Sequence, residues 1–126
     1  LPAAGQGALA LVCKKTDTKL VKFLHKIEHA PSRISINAER SFISKIEGGC
    51  RFPIAAYANL SSKNHKINFY AKIFSSDGLE HISIKKIGDY VKPDLVGYMF
   101  DIYLIKIGAL RLAEGWDKSL NEWNKK

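Results

Sequence analysis

Three stretches of the chain alternate apolar and polar residues with period two, and they constrain the fold more than anything else in the sequence. They are Phe52, Ile54, Ala56, Ala58 and Leu60, then Ile67, Phe69, Ala71 and Ile73, then Ile82 and Ile84. Successive side chains of a strand point to opposite faces, so each stretch predicts a strand with one apolar face. Tyr57 and Asn59 fall on the other face of the first. The polar segments Ser61 to His65 and Ser75-Ser76-Asp77-Gly78 separate the strands. Connections this short join strands antiparallel, which makes a meander whose third strand covers about residues 80–87. One face of that sheet needs cover.

Leu20, Phe23, Leu24 and Ile27 recur at i, i+3, i+4 and i+7 and predict a helix over 18–29, with Thr16, Asp17 or Thr18 to cap it. Ala30-Pro31-Ser32 interrupts it, because proline cannot continue a helix. A second helix over about 32–47 shows Ile36, Ala38, Phe42, Ile43 and Ile46 on a broad apolar side, with Glu39, Arg40 and Lys45 mostly off it. After the strands, Pro93 suits the first turn of a long helix, with Asp94 near its positive end. Leu95, Met99, Ile102, Tyr103 and Leu110 give that helix its apolar side up to about Gly115, and Trp116 and Trp123 read as packing residues of the tail. The fold class is α+β: helix, three-stranded antiparallel sheet, helix, with both helices on one sheet face. An N-terminal strand and helix precede this unit. The strand, residues 8–13, is continuously apolar, the pattern of a segment covered on both faces in a parallel sheet. Its sheet is not in this chain, so the segment is expected to be exposed, displaced or held by a partner, with Cys13 as a small buried hydrophobe.

A chain of 126 residues suffices for one domain. Twenty Lys and Arg against twelve Asp and Glu give a net +8, which favours anionic partners in general: nucleic acid, an acidic membrane surface or a polycarboxylate ligand. Most of the lysines read as solvated. Cys13 and Cys50 allow one disulfide, but the composition is that of a cytosolic domain; both thiols are expected reduced and the location cytoplasmic. No run of 18 or more apolar residues escapes interruption by charge, so no membrane span is expected. The opening Leu-Pro-Ala-Ala-Gly-Gln-Gly is neither basic nor a long apolar run, so it is not a signal peptide. With no initiator methionine, it reads as the continuation of a longer protein. His25 and His29 are four apart but lack a third ligand, and read as solvated.

Glu47-Gly48-Gly49-Cys50 ends the second helix on two glycines and sets a thiol before the first strand. Glycine supplies the positive φ that stops a helix and lets a bound group approach the backbone. Two readings stand: a helix cap with a half-buried cysteine, or a thiol that a ligand can reach. The dipole of a helix C-terminus disfavours a thiolate, so activation of Cys50 would come from Arg51 or from groups outside the chain.

Leu1-Pro2-Ala3-Ala4-Gly5-Gln6-Gly7-Ala8-Leu9, Ala38-Glu39-Arg40, Ile46-Glu47-Gly48-Gly49-Cys50 and Pro53-Ile54 together resemble the hydroxymethylbilane synthase (porphobilinogen deaminase) family, ungapped from Leu1 to about Leu60. The resemblance implies a transferase of tetrapyrrole (heme) biosynthesis in which Cys50 forms a thioether to a dipyrromethane cofactor. On that primer four porphobilinogen units are condensed head to tail. It implies further that Gln6, Gly7 and Gly49 help bind the cofactor, and that the motif bearing Glu39 and Arg40 is structural, an ion pair anchoring the helix and not a catalytic group. Residues 1–30 would end the preceding α/β domains and residues 31–126 form the C-terminal cofactor-carrying domain. The family's catalytic aspartate and carboxylate-binding arginines belong to the other domains, so no catalytic residue and no metal site is assigned here. The isolated chain is expected to be inactive. Partners are porphobilinogen, pyrrole intermediates and the N-terminal domains, with no nucleic acid, no membrane and a monomeric full-length enzyme. The alternative is a basic module like the double-stranded-RNA-binding domains, without enzymatic activity, which share this order of elements. It calls for a lysine cluster at the start of the last helix, where the sequence reads Val91-Lys92-Pro93-Asp94.

Overall fold

The structure, a computed structural model, describes residues 1–46, 53–61, 65–89, 108, 111–112 and 115–116. Its elements are α1 (Thr18–Lys26), α2 (Ala30–Lys45), β1 (Ile54–Ser61), β2 (Lys66–Phe74) and β3 (His81–Asp89). The strands form one antiparallel sheet in the order β1-β2-β3. The α+β meander expected from the alternation is the architecture observed. The predicted start of the long helix at Pro93, its apolar residues up to Leu110, and Trp123 lie outside the described residues.

The register explains the core. Ala56 pairs with Ala71, Ala58 with Phe69, and Leu60 with Ile67, while Ala71 pairs with Ile84 across the second ladder. These inward positions meet Ala38 and Phe42 of α2, and all of them except the half-buried Leu60 are buried. Leu112 and Trp116 join the same cluster, so the C-terminal helical residues share the sheet face with α2. The Trp116 indole also donates to the Phe74 carbonyl at 3.0 Å, which satisfies the one polar atom that burying the ring would otherwise strand.

Local chemistry sets the element ends. Asp17 is the cap of α1, its Oδ1 accepting the Leu20 amide at 3.0 Å. That helix stops at Lys26, three residues earlier than the periodicity suggests, with the Ile27 amide turned back to the Leu24 carbonyl at 3.2 Å. α2 begins at Ala30, with Pro31 inside its first turn, because proline's missing N–H is one that the helix could not use there. Between β2 and β3, Gly78 takes φ 75° and Asp77 accepts from both the Ser75 hydroxyl and the Leu79 amide, closing the turn.

Two expectations need correction. Residues 8–13 form no strand: they have no ladder partner among the described residues, and Leu9 and Val12 are 99% and 92% exposed. A strand needs a neighbour for its amides and carbonyls, and none is supplied here. Cys13 is accordingly half-buried rather than buried. The apolar side of α1 is also left open, with Leu20, Phe23 and Ile27 exposed.

Candidate functional site

The site begins with the glycines of the N-terminal loop. The Gln6 amide donates to the Ala3 carbonyl and the Ala8 amide to the Gly5 carbonyl, both at 3.2 Å, which makes two consecutive turns. Each has glycine at its third position, Gly5 at φ 72° and Gly7 at φ 81°, where turns of this kind demand a positive φ. The second turn therefore lifts Gln6 to its apex, with the side chain exposed.

This loop is fastened to the outer edge of β1. The Ala56 amide, pointing away from β2, donates to the Pro2 carbonyl at 3.2 Å. Two residues on, the Ala58 amide donates to Glu39 Oε1 at 2.8 Å, while the Gly5 amide donates to Glu39 Oε2 at 2.7 Å. Glu39 is only 6% exposed. Its carboxylate thus joins loop, helix and strand, and with Pro2 it covers hydrogen-bonding groups that an edge strand would otherwise leave open. The expectation for Glu39 is corrected in two respects. It lies on the buried side of α2, and its partners are backbone amides, not Arg40, which is exposed.

Loop, helix and strand edge enclose a cleft of about 360 Å³. Gln6 and Gly7 line it from the loop, Ser32 and Ser35 from the first half of α2, and Tyr57 and Asn59 from β1. Lys, Arg and His are absent from its described lining, and Glu39 is the one ionisable carboxylate there. The structure therefore brings together two of the predicted site residues. The other two, Gly49 and Cys50, lie outside the described residues; in the chain they follow the opposite end of α2. Sequence reasoning gave Glu39 a structural role but neither its burial nor its partners, yet a signal for the burial was present: it sits three residues after Ile36 and four before Ile43, on the stripe those isoleucines define.

Residues 34–100 match a family model described as the porphobilinogen deaminase C-terminal domain. The chain belongs to the porphobilinogen deaminase family. It is 37% identical over 124 residues to a probable porphobilinogen deaminase of Nitrosopumilus maritimus (strain SCM1), an alignment covering 98% of this chain and 39% of that protein. A porphobilinogen deaminase of Bacillus mycoides (strain KBAB4) is 42% identical over 112 residues, covering 89% of this chain and 35% of the relative. A chloroplastic porphobilinogen deaminase of Pisum sativum is 34% identical over 96 residues, covering 76% and 26%. The chain spans at most 39% of the length of these relatives. Within the porphobilinogen deaminase match fall α2 from Ile34 onward, with Glu39, the three strands, and the segment bearing Gly49 and Cys50. The match assigns the helix and strand order to this family, and the RNA-binding alternative keeps only the likeness of element order. Among the described residues no helix is long and apolar enough to cross a membrane, and no group of three or more His, Cys, Asp or Glu could hold a metal ion.

Proposed function

We propose that this chain is the cofactor-carrying C-terminal part of a porphobilinogen deaminase, a cytoplasmic, monomeric transferase of tetrapyrrole (heme) biosynthesis, and that Cys50 carries the dipyrromethane as a thioether. The observation that supports it is the family match over residues 34–100, which includes Cys50 directly after its two glycines. When bound, the dipyrromethane supplies the primer on which four porphobilinogen units are condensed.

The roles of this chain's own residues follow from their chemistry. Cys50 is a nucleophile as its thiolate, and a covalent tether turns each successive condensation into an effectively intramolecular encounter. Gly49 permits close backbone approach at the tether. Gln6, at the apex of its turn, offers a carbonyl oxygen to a pyrrole N–H and an amide N–H to a ring substituent. The cleft beside it suits rings that bear N–H groups. It does not suit their carboxylates, since its described lining has no cation; those groups require arginines or lysines from elsewhere in the full-length protein. The same division of labour makes residues 31–126 the carrier domain and residues 1–30 the end of the preceding domains. The exposed Leu9, Val12 and Phe23 are consistent with cover by those domains.

Intact-mass measurement of the full-length protein tests the assignment. The wild type should be heavier than its sequence by two linked pyrroles, Cys50→Ser should lose both that mass and the activity, and Cys13→Ser should keep both. Serine preserves size and polarity but is a poorer nucleophile toward a carbon electrophile. Retention of the adduct and normal turnover by Cys50→Ser would overturn the role given to Cys50.

A further inference from the structure

The geometry points to Glu39 as a positioning residue that fixes the Gln6-Gly7 turn against the edge of β1 and so sets the width of the cleft. The inference rests on the reading of Gln6 as a cofactor contact only for its effect on turnover; its structural content stands without that reading.

An ionised carboxylate accepts hydrogen bonds and donates none, and a backbone N–H does the reverse, so Glu39 and its two amides form a fully matched set. One oxygen takes the Gly5 amide at 2.7 Å and the other the Ala58 amide at 2.8 Å, lengths typical of charge-assisted bonds. The side chain is 6% exposed, so neither bond can be exchanged for water at little cost. Gly5 is at once the donor to Glu39 and the acceptor for Ala8 in the turn whose second residue is Gln6. A shift of Gly5 therefore carries Gln6 with it. In β1, Ala58 stands between Tyr57 and Asn59, which also line the cleft, and Glu39 holds that backbone by its other oxygen. The carboxylate thus ties the loop to the strand where both line the cleft, with both oxygens engaged. It works through the loop, not on a reacting atom.

The replacement Glu39→Gln keeps the shape but gives one wall an NH₂ group where an acceptor stood, so one of the two amides loses its partner. In the full-length protein, hydrogen exchange read by mass spectrometry should speed up in a peptide covering residues 2–8 or in one covering 55–61. Consumption of porphobilinogen should fall about tenfold, the scale of one lost hydrogen bond to a charged group. Combined with Gln6→Ala, the loss should be no larger than that of the more damaging single change, because both act through one turn. Losses that multiply, or exchange unchanged in both peptides, would overturn the inference. If Glu39→Gln does not fold, Glu39→Asp is read by the same exchange: one methylene shorter, it reaches one amide and should expose the other, and full protection of both peptides would again overturn the inference. Absence of added mass on wild-type Cys50 would instead overturn the cofactor reading, and leave the exchange result to judge Glu39 by itself.

Discussion

The rings of Phe42 and Phe69 meet edge to face, centroids 5.3 Å apart and planes at 63°. Both side chains are fully buried, one on α2 and one at the centre of β2, so this contact joins the helix layer to the sheet. Truncation of Phe42 to alanine should cost about 3–5 kcal/mol, since it removes apolar surface and leaves a cavity beneath α2. The two residues should also be coupled. A double-mutant cycle by urea unfolding should return about 0.5–1.5 kcal/mol between Phe42→Leu and Phe69→Leu. Strict additivity would show that the rings contribute area alone.

The sheet was legible in the sequence because period-two alternation has a single physical cause, a strand with one face buried. Trp116 was legible as a packing residue for a similar reason: a large ring near an apolar helix end has few other places to go, and it is found in the core. The burial of Glu39 is less legible, because a glutamate is almost never fully buried unless it is paired. Its place on the Ile36–Ile43 stripe predicts burial, but the compensating donors, Gly5 and Ala58, lie 34 and 19 residues away in sequence. No local pattern announces such partners. The run at residues 8–13 shows the opposite case: an apolar pattern predicts a strand, but with no ladder partner among the described residues none forms and Leu9 and Val12 stay exposed. Gln6 and Gly7 came from family resemblance, and it is the two hydrogen-bonded turns that give them a common place in the cleft.

At the start of α2 the Arg33 guanidinium engages both carboxylate oxygens of Glu28, with Nη2 to Oε2 at 2.7 Å, and His25 adds a contact at 3.1 Å. The Arg33 hydrogen bond, assisted by His25, holds the Glu28 carboxyl below its ordinary value of 4.5, against a smaller opposing effect of desolvation. A carboxyl depressed in the folded state contributes stability that is present above the unfolded value and lost as pH falls through the folded one. The urea midpoint of the wild type should therefore exceed that of Glu28→Gln at neutral pH, and the gap should close progressively as pH falls below 4.5. The pair is exposed, so added salt should narrow the gap at neutral pH as well. A gap that widens on acidification would contradict the ion pair.

Gly7 offers a test of the loop that does not depend on any ligand. Its φ of 81° lies where L-residues are strained, yet a Cβ built there meets nothing within 4 Å. Sterics between side chain and neighbours are therefore absent, and any cost of substitution comes from the backbone alone. Alanine should cost about 1–2 kcal/mol of the loop's local stability, a figure set by the left-handed conformation. Asparagine should cost less, because it tolerates that region and can hydrogen-bond its own backbone. Valine should cost most, as β-branching there is a true outlier. Read as hydrogen exchange in a peptide covering residues 2–8, the order of protection should be Gly, Asn, Ala, Val. Equal protection across the series would mean that the turn does not hold Gly7 at positive φ, and that Gln6 is not presented at its apex.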